Sequence, residues 1–217
     1  MAEAPIELAE LRASDGRVPG RRGRATRQKL LDCTADMLRS TSYRDLKVID
    51  IAREAGTSPA TFYQYFADVE ASILVLAEEM AQRGHHLTEI IDQGAWKGRA
   101  GYDTALTLVD AFLAFWDENR PVLRVVDLTT DEGDRRFQKI RVRLLNDITS
   151  ALARVTEQYL PGLGVDPMAS AGVLVSMLAH VAAHHYGFEF WGIRTADVRQ
   201  SMARHVYWGV TGQKPPT

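Results

Sequence analysis

Residues 46–66 constrain the fold of this chain more than any other stretch, because two short helices and the turn between them can be read from it. Apolar residues recur at intervals of three and four in the first helix and stop before Gly56. Gly56 suits the left-handed backbone that ends a helix sharply. Ser58 can cap the next helix with its hydroxyl, and Pro59 has the fixed φ angle that suits a first helical position. The pattern predicts a helix, a tight turn and a second helix.

The second helix has one apolar side. Phe62 and Phe66 are four residues apart and are expected to be buried. The polar and hydroxyl-bearing residues between them are then left to point elsewhere. This arrangement is typical of the helix-turn-helix motif, in which the second helix enters the DNA major groove. A buried helical hairpin without a DNA role is the alternative.

The segment from Thr26 to about Leu74 resembles the DNA-binding domain of the TetR family of bacterial transcription regulators. The resemblance is carried by Leu30-Leu31, Cys33-Thr34, Ile51-Ala52, Ala55-Gly56 and the run Ser58-Pro-Ala-Thr-Phe-Tyr-Gln-Tyr-Phe66. Three positions depart from the family pattern. Ser42 stands where the family usually has Gly, Lys47 where it has Thr or Ser, and Val69 where a Lys grips a phosphate.

The resemblance implies which side chains meet DNA. Base contacts are expected from Ser58, Ala60 and Thr61, together with Tyr63 and Gln64. Phosphate or sugar contacts are expected from Tyr63, Tyr65, Lys47, Arg22 and Arg24. The predicted partner is double-stranded operator DNA.

Charge is unevenly distributed. The formal net charge is −2, but residues 17–66 hold ten Lys and Arg against five Asp and Glu. Positive potential concentrated on one module is expected when only that module meets phosphate. The run Arg17–Lys29 has six basic residues and no acidic one, and its glycines disfavour a helix in its first half. We predict a flexible basic arm that follows phosphates or enters a minor groove; a solvated tail without function is the alternative.

Composition excludes several classes of protein. No window approaches the roughly 18 unbroken apolar residues of a membrane-spanning helix, and the N-terminus lacks the apolar core of a secretory signal. The single cysteine, Cys33, excludes an internal disulfide and is predicted to be a small buried hydrophobe. A cytoplasmic protein without a membrane partner is expected.

The rest of the chain predicts helices only, so the fold class is all-α. A helix capped by Asp68 is expected to run towards His85, and another to cover Asp103 to Asn119 before Pro121 breaks it. Thr129 and Glu132 have capping-box spacing and predict the start of a long helix. Residues 1–16 are expected to be disordered and are given no role. The predicted organisation is a disordered, basic arm (1–23), a three-helix helix-turn-helix DNA-binding domain (24–67), and a larger helical effector-binding and dimerisation domain (68–217).

The last two predicted helices, Asp166–Tyr186 and Thr195–Thr211, match by position the helices that form the dimer interface in the family. The helix from Ala169 to Ala183 is apolar nearly all round, which indicates burial on two sides. A homodimer is therefore expected. It would place two recognition helices about 34–36 Å apart on a palindromic operator.

Bulky side chains concentrate in the middle helices. Residue by residue they are expected to form core, but as a group they exceed what thin helix layers need. The family resemblance implies a pocket for a hydrophobic small-molecule effector in this region. The residues predicted to line it are Trp96, Phe112, Phe115, Trp116, Phe137, Met177, His180, Tyr186 and Trp191.

We predict no cofactor, no metal and no catalytic site. His180 and His184 have a spacing that can hold a metal, but no nearby carboxylate completes a set. The favoured function is a repressor that an effector releases from its operator. An architectural DNA-binding protein without sequence preference, or an enzyme that uses the helical pocket, are the alternatives.

Overall fold

The computed structural model describes residues 20–162 and 164–216, and within them the regular structure is helical, without a strand. The all-α fold class is confirmed. The helices are α1 (Arg21–Met37), α2 (Val48–Glu54), α3 (Pro59–Tyr65), α4 (Val69–Arg83), α5 (His85–Gln93), α6 (Gly98–Asp131), α7 (Arg135–Tyr159), α8 (Pro167–His184) and α9 (Thr195–Thr211). Two 3-10 helices, Tyr43–Asp45 and His185–Trp191, precede α2 and follow α8.

The chain forms two compact units. Among the described residues, the first unit comprises residues 20–80 together with Pro121–Gln138, and the second comprises Ala81–Arg120 together with the residues from Lys139 onwards. The end of α6 and the start of α7 therefore belong to the same unit as the helix-turn-helix segment. These two compact units differ from the predicted domains, which were divided between residues 67 and 68.

The basic arm begins as a helix. Arg21, Arg22 and Arg24 lie in the first two turns of α1, where the sequence predicted irregular backbone up to residue 23. Gly23 costs roughly 1 kcal/mol relative to alanine in a helix, and the buried residues further along α1 outweigh that cost. The predicted disorder of residues 1–16, and the arm residues before Gly20, lie outside the described residues.

The helix that Asp68 caps runs towards His85 as predicted and ends at Arg83, before His85 begins α5. The predicted start of the next helix at Asp103 and its end before Pro121 were wrong. Pro121 lies inside α6, which starts at Gly98. Proline removes one helical hydrogen bond and costs about 3 kcal/mol, but Val122 and Val126 are buried directly after it, and packing keeps the helix continuous.

Thr129 does not begin a helix. Its hydroxyl donates to the Val125 carbonyl oxygen at 2.7 Å, inside the last turns of α6. The chain leaves α6 through Gly133, whose φ is +91°. Asp134 then caps α7, because its Oδ1 accepts the Arg136 backbone N–H at 2.8 Å.

Of the two last helices, α9 has the predicted bounds, whereas α8 ends at His184, two residues before the predicted Tyr186, and a 3-10 helix follows it. Asp166 Oδ1 accepts the Ala169 N–H at 2.7 Å and starts α8. Helix α9 begins at Thr195 and ends at Thr211, before Gly212 with a φ of +65°. At Gly209 the two helices approach closely, since a Cβ there would lie 2.9 Å from Leu174 Cδ1.

One segment, Pro167–Trp191, is long and apolar enough to cross a membrane by length and composition, although 28% of its most apolar window is buried in the protomer. The core or interface helix of a soluble protein passes the same test. The feature that matters here is the low burial, which leaves an apolar helix face uncovered in one chain.

Candidate nucleic-acid interface

Helix α2 ends as the sequence predicts. Gly56 has a φ of +63°, and the Thr57 N–H donates to the Ala52 carbonyl oxygen at 2.8 Å. The left-handed glycine turns the chain away from the axis of α2 and satisfies a terminal carbonyl. Ile51 and Ala52 on the inner side of α2 are fully buried, which fixes α2 against its neighbours.

The second helix is capped by its first polar residue. Ser58 has extended backbone, and its Oγ accepts the Thr61 N–H at 3.2 Å. Pro59 occupies the first helical position, where its missing N–H has no partner to lose. Helix α3 ends at Tyr65, one residue earlier than predicted, and Phe66 is its C-cap.

Two phenylalanines hold α3 in place. Phe62 and Phe66 are buried, with ring centroids 5.4 Å apart. The guanidinium carbon of Arg27, on α1, lies 5.3 Å from the centroid of the Phe66 ring. This cation–π contact fastens the end of the recognition helix to the first helix.

The opposite side of α3 faces outward. Ala60, Tyr63 and Gln64 are exposed, with 52% of Tyr63 accessible, while Thr61 and Tyr65 are half-buried. The two tyrosines therefore do not lie in a hydrophobic interior. Seven residues of helix with a polar and aromatic outer face can enter a major groove, because the inner face alone carries the packing.

The predicted backbone-contacting residues also lie at the surface. Arg22 and Arg24 are exposed on α1, and Lys47 is exposed at the N-cap of α2. Cations placed this way can approach phosphates without losing packing.

The structure adds two residues that sequence reasoning missed. Tyr43 and Arg44 line a surface groove of about 830 Å³ together with Lys47, Tyr63 and Val69. Arg44 Nη2 forms an ion pair with Glu132, and the Tyr43 hydroxyl donates to Glu132 Oε2 at 3.4 Å. The sequence could not pair these residues, because Glu132 is almost ninety positions away from them.

A second ionic cluster lies in the same compact unit. Arg136 Nη2 contacts Asp134 Oδ2 at 2.6 Å and Glu70 Oε2 at 3.0 Å. The Arg136 guanidinium lowers the pKa of Asp134, chiefly by hydrogen bonding to its carboxylate. The same two carboxylates raise the pKa of Arg136.

Five of the predicted effector residues are buried side chains. Phe112 stacks on Trp116 with centroids 4.3 Å apart, and Phe115 lies 5.7 Å from Trp116. Trp96 donates its indole N–H to the Ile91 carbonyl oxygen at 3.0 Å. Phe137 is also fully buried and belongs to the other compact unit. These aromatics pack as core in the structure.

The remaining four differ. Met177 is half-buried, whereas His180, Tyr186 and Trp191 are exposed, with 74% of Trp191 accessible. These three side chains lie at the surface of α8 and of the 3-10 helix after it, where the Tyr186 ring is 4.6 Å from the guanidinium carbon of Arg120 on α6.

Cys33 is half-buried rather than fully buried, and burial raises the pKa of its thiol. The rings of His180 and His184 stack at 4.5 Å, but no group of three or more metal-ligating side chains occurs among the residues that the structure describes.

A capped helix pair joined by a left-handed glycine, with an exposed second helix and a larger helical unit, defines an all-α helix-turn-helix protein. Residues 30–71 match the family model described as bacterial regulatory proteins of the tetR family, and residues 87–217 match the tetracyclin repressor-like C-terminal domain. The second match spans more than half of the chain, and the chain belongs to the TetR family of transcription regulators.

Solved structures support the same fold. The fatty acid degradation regulator FadR from Bacillus halodurans shares 16% identity, with a TM-score of 0.65 over 88% of this chain and 97% of that one. FadR from Bacillus subtilis, in complex with stearoyl-CoA, shares 15% identity, with a TM-score of 0.65 over 84% and 98%. A putative TetR-family regulator from Mesorhizobium loti shares 20% identity, with a TM-score of 0.63 over 88% and 96%.

Proposed function

We propose that this regulator is a homodimeric repressor that binds a palindromic operator and is released by a hydrophobic small molecule. The observation that carries the proposal is the outer face of α3, where Ala60, Tyr63 and Gln64 are exposed above the buried Phe62. A helix packed on one side and open on the other is what major-groove recognition needs.

Each exposed side chain takes a role that fits its chemistry. Gln64 can donate and accept at an adenine edge, and Ser58, Ala60 and Thr61 lie at the N-terminal end of α3, which approaches bases first. Tyr63 and Tyr65 donate to phosphate or sugar oxygens. The DNA backbone is contacted by Lys47, Arg22 and Arg24.

The uncovered face of α8 and α9 supports a second copy as the partner. Val173 is 71% exposed and Trp208 is 61% exposed, although both are large and apolar. Between the two helices lies an apolar groove of about 380 Å³, lined by Val173, Leu174 and Gly209 among others. The same surface on two identical chains can pack face to face about a two-fold axis, which also gives the two recognition helices their spacing. His180, Tyr186 and Trp191 fit this face better than an enclosed pocket.

The effector class follows from the aromatic interior and from relatives. FadR from Bacillus subtilis was solved with stearoyl-CoA, and FadR from Thermus thermophilus, at 17% identity and a TM-score of 0.57, with lauroyl-CoA. We therefore propose an acyl thioester whose chain enters among Phe112, Phe115 and Trp116, with these rings moving aside. Lys139, exposed on α7 in the same compact unit as these aromatics, supplies a cation for an anionic head group.

Release requires the effector to prefer the dimer geometry that does not fit the operator, since equal affinity for both geometries shifts nothing. Helix α6 carries Phe112, Phe115 and Trp116 and continues without interruption to Asp131. A displacement of α6 by the acyl chain therefore reaches the unit that contains the recognition helix. A cytoplasmic location follows from this role.

The first experiment separates a repressor from an architectural DNA-binding protein. A duplex enriched from a random library and its scrambled counterpart are compared at one stated salt concentration. We expect the enriched duplex to bind at least a hundredfold more tightly. A preference of tenfold or less favours the architectural alternative.

Two variants divide the recognition helix by role. Tyr63→Phe should weaken enriched and scrambled duplexes by the same factor, because it removes a backbone contact. Gln64→Ala should relax the preference at one base position, at a cost of about 1–3 kcal/mol for the preferred base. Equal loss at every base position would contradict the assignment of Gln64.

The effector is tested with stearoyl-CoA and lauroyl-CoA against free coenzyme A. An acyl thioester that binds the folded protein must raise its melting temperature, and one that acts as an effector must also lower affinity for the enriched duplex. Turnover of the thioester would favour the enzyme alternative. Stabilisation by free coenzyme A alone would contradict an acyl-chain pocket.

A further inference from the structure

The groove beside the recognition helix mixes charges of both signs. Arg44 and Lys47 line it, and so do Asp68 and Glu70 at the start of α4. Val69, where the family pattern has a phosphate-gripping Lys, lies between those two carboxylates. A DNA backbone that follows this groove therefore depends on the cations that precede α2, not on α4.

Glu132 is the partner of the two donors that precede α2 in this groove, the Arg44 guanidinium and the Tyr43 hydroxyl. One of its oxygens pairs with the Arg44 guanidinium, and the other accepts from the Tyr43 hydroxyl at 3.4 Å. A carboxylate and a phosphodiester are both anions with two oxygens that a guanidinium fork can bind. Glu132 thus makes the two contacts that a phosphate would make.

The ion pair between Arg44 and Glu132 is exposed enough for a phosphate to replace the carboxylate. The side chains of Arg44 and Glu132 are 58% and 43% exposed, and an ion pair this exposed is held only weakly. Neither side chain is buried in the core, so either can move without unfolding the segment that carries it.

Glu132 is also attached to a helix that can move it. It follows directly after Asp131, the last residue of α6. Within the same compact unit, Arg124 Nη2 donates to the Leu38 carbonyl oxygen at 3.2 Å and ties α6 to the end of α1. A rotation of α6 about this hydrogen bond would change where the Glu132 carboxylate stands relative to Arg44.

We propose that Tyr43 and Arg44 are phosphate-binding residues of the DNA interface, and that Glu132 holds them in the DNA-free protein as an internal substitute for the phosphate. DNA binding transfers both donors from the carboxylate to the backbone. This inference rests on the proposed function, and it adds a competing anion that α6 controls.

The test is a two-residue cycle on the full-length protein: Arg44→Ala, Glu132→Gln and the double variant. Affinity for the enriched duplex and for its scrambled counterpart is measured by fluorescence anisotropy between about 50 and 200 mM salt. We expect Glu132→Gln to tighten both duplexes about two- to fivefold, since it removes a weak competing pair. Arg44→Ala should weaken both and reduce the slope of log K against log salt by about 0.9, the loss of one phosphate contact.

The double variant decides the mechanism. If Glu132 acts through Arg44, then Glu132→Gln has no effect once Arg44 is alanine. An equal tightening in both backgrounds would mean that Glu132 merely repels DNA, and would overturn the proposal. Asp92→Asn is the matched control, because it also neutralises an exposed carboxylate paired with an arginine and lies in the other compact unit. It should leave affinity unchanged.

Failure of the inference and failure of the proposed function look different. An Arg44→Ala variant with the wild-type slope, in a protein whose binding Tyr63→Phe still weakens, overturns only the role of Arg44. A wild-type protein that binds no duplex overturns both.

Discussion

Helices α3 and α8 both leave one face uncovered in the single chain, but the two faces differ in chemistry. The open face of α3 presents a phenol, an amide and a small alanine above a phenylalanine that is fully buried. The open face of α8 presents Met168 and Val173, with alanine and serine between them. The first surface can hydrogen-bond to base edges and phosphates, whereas the second is mainly apolar along its first turns and becomes polar at Ser176 and His180. The contrast indicates nucleic acid for α3 and protein for α8.

The largest expected effect concerns the packed side of α3. Phe62 is fully buried, and replacing it with alanine removes a large apolar side chain and leaves a cavity. We expect Phe62→Ala to destabilise the first compact unit by about 3–5 kcal/mol and to abolish DNA binding. Denaturant unfolding, followed by circular dichroism, measures the loss.

Tyr63→Ala is the matched control, because its ring contacts Phe62 but is half exposed. It should change stability by less than about 1 kcal/mol while weakening DNA binding. If both variants lost the same stability, the outer face of α3 would contribute to packing, and it would no longer contrast with α8 as a surface that is open for DNA.

The next effect concerns α8. A glutamate in place of Val173 introduces a charge into the apolar face and should raise the dissociation constant of the proposed dimer at least a hundredfold, about 2.7 kcal/mol. Sedimentation equilibrium should then show a folded monomer, and operator affinity should fall with it.

Val142→Glu serves as the control, because Val142 is also an exposed valine within a helix but lies on α7. In sedimentation equilibrium, the Val142→Glu variant should have the same molecular mass as the wild type. A dimer that survives Val173→Glu would mean that the second copy packs elsewhere.

A smaller effect tests the turn that orients α3. Gly56 has a φ of +63°, and the space around a Cβ there is open, with only Lys29 Nζ within 4 Å. Gly56→Ala should therefore cost about 1–2 kcal/mol through backbone strain alone. Gly172→Ala, in the middle of α8 with an ordinary helical φ and nothing within 4 Å of a Cβ, should instead stabilise by up to about 1 kcal/mol. Melting temperatures that moved in the same direction would contradict the assignment of strain to the turn.

The same contrast explains what could be predicted from the sequence. The signals around α3 are local: a glycine that needs a positive φ, a serine cap and a proline act within four residues of one another, and all three were confirmed. The ends of α6 and α7 depend on tertiary packing. Pro121 reads as a break and Thr129 as a cap until the burial of Val122 and Val126 is known.

The candidate site divides in the same way. The outward face of α3 follows from helical spacing once Phe62 and Phe66 are taken as buried. The pairing of Arg44 with Glu132 does not, because nothing in either local sequence refers to the other. The predicted effector residues were chosen for bulk, and bulk alone does not separate a buried Phe112 from an exposed Trp191.

The smallest expected effect is a pH dependence in the first unit. The pKa of Asp134 is lowered in the folded protein, so its carboxylate binds a proton less readily there than in the unfolded chain. The stabilisation from this group is therefore fully present above its unfolded pKa and is lost as the pH falls through the lower, folded pKa. Asp134→Asn should flatten the fall in stability below about pH 4, because the asparagine can still cap α7 but does not titrate. Thermal unfolding of the wild type and of Asp134→Asn from pH 6 to pH 3 measures this difference. An identical acid dependence for wild type and Asp134→Asn would remove Asp134 from the groups that hold the start of α7 in the first unit.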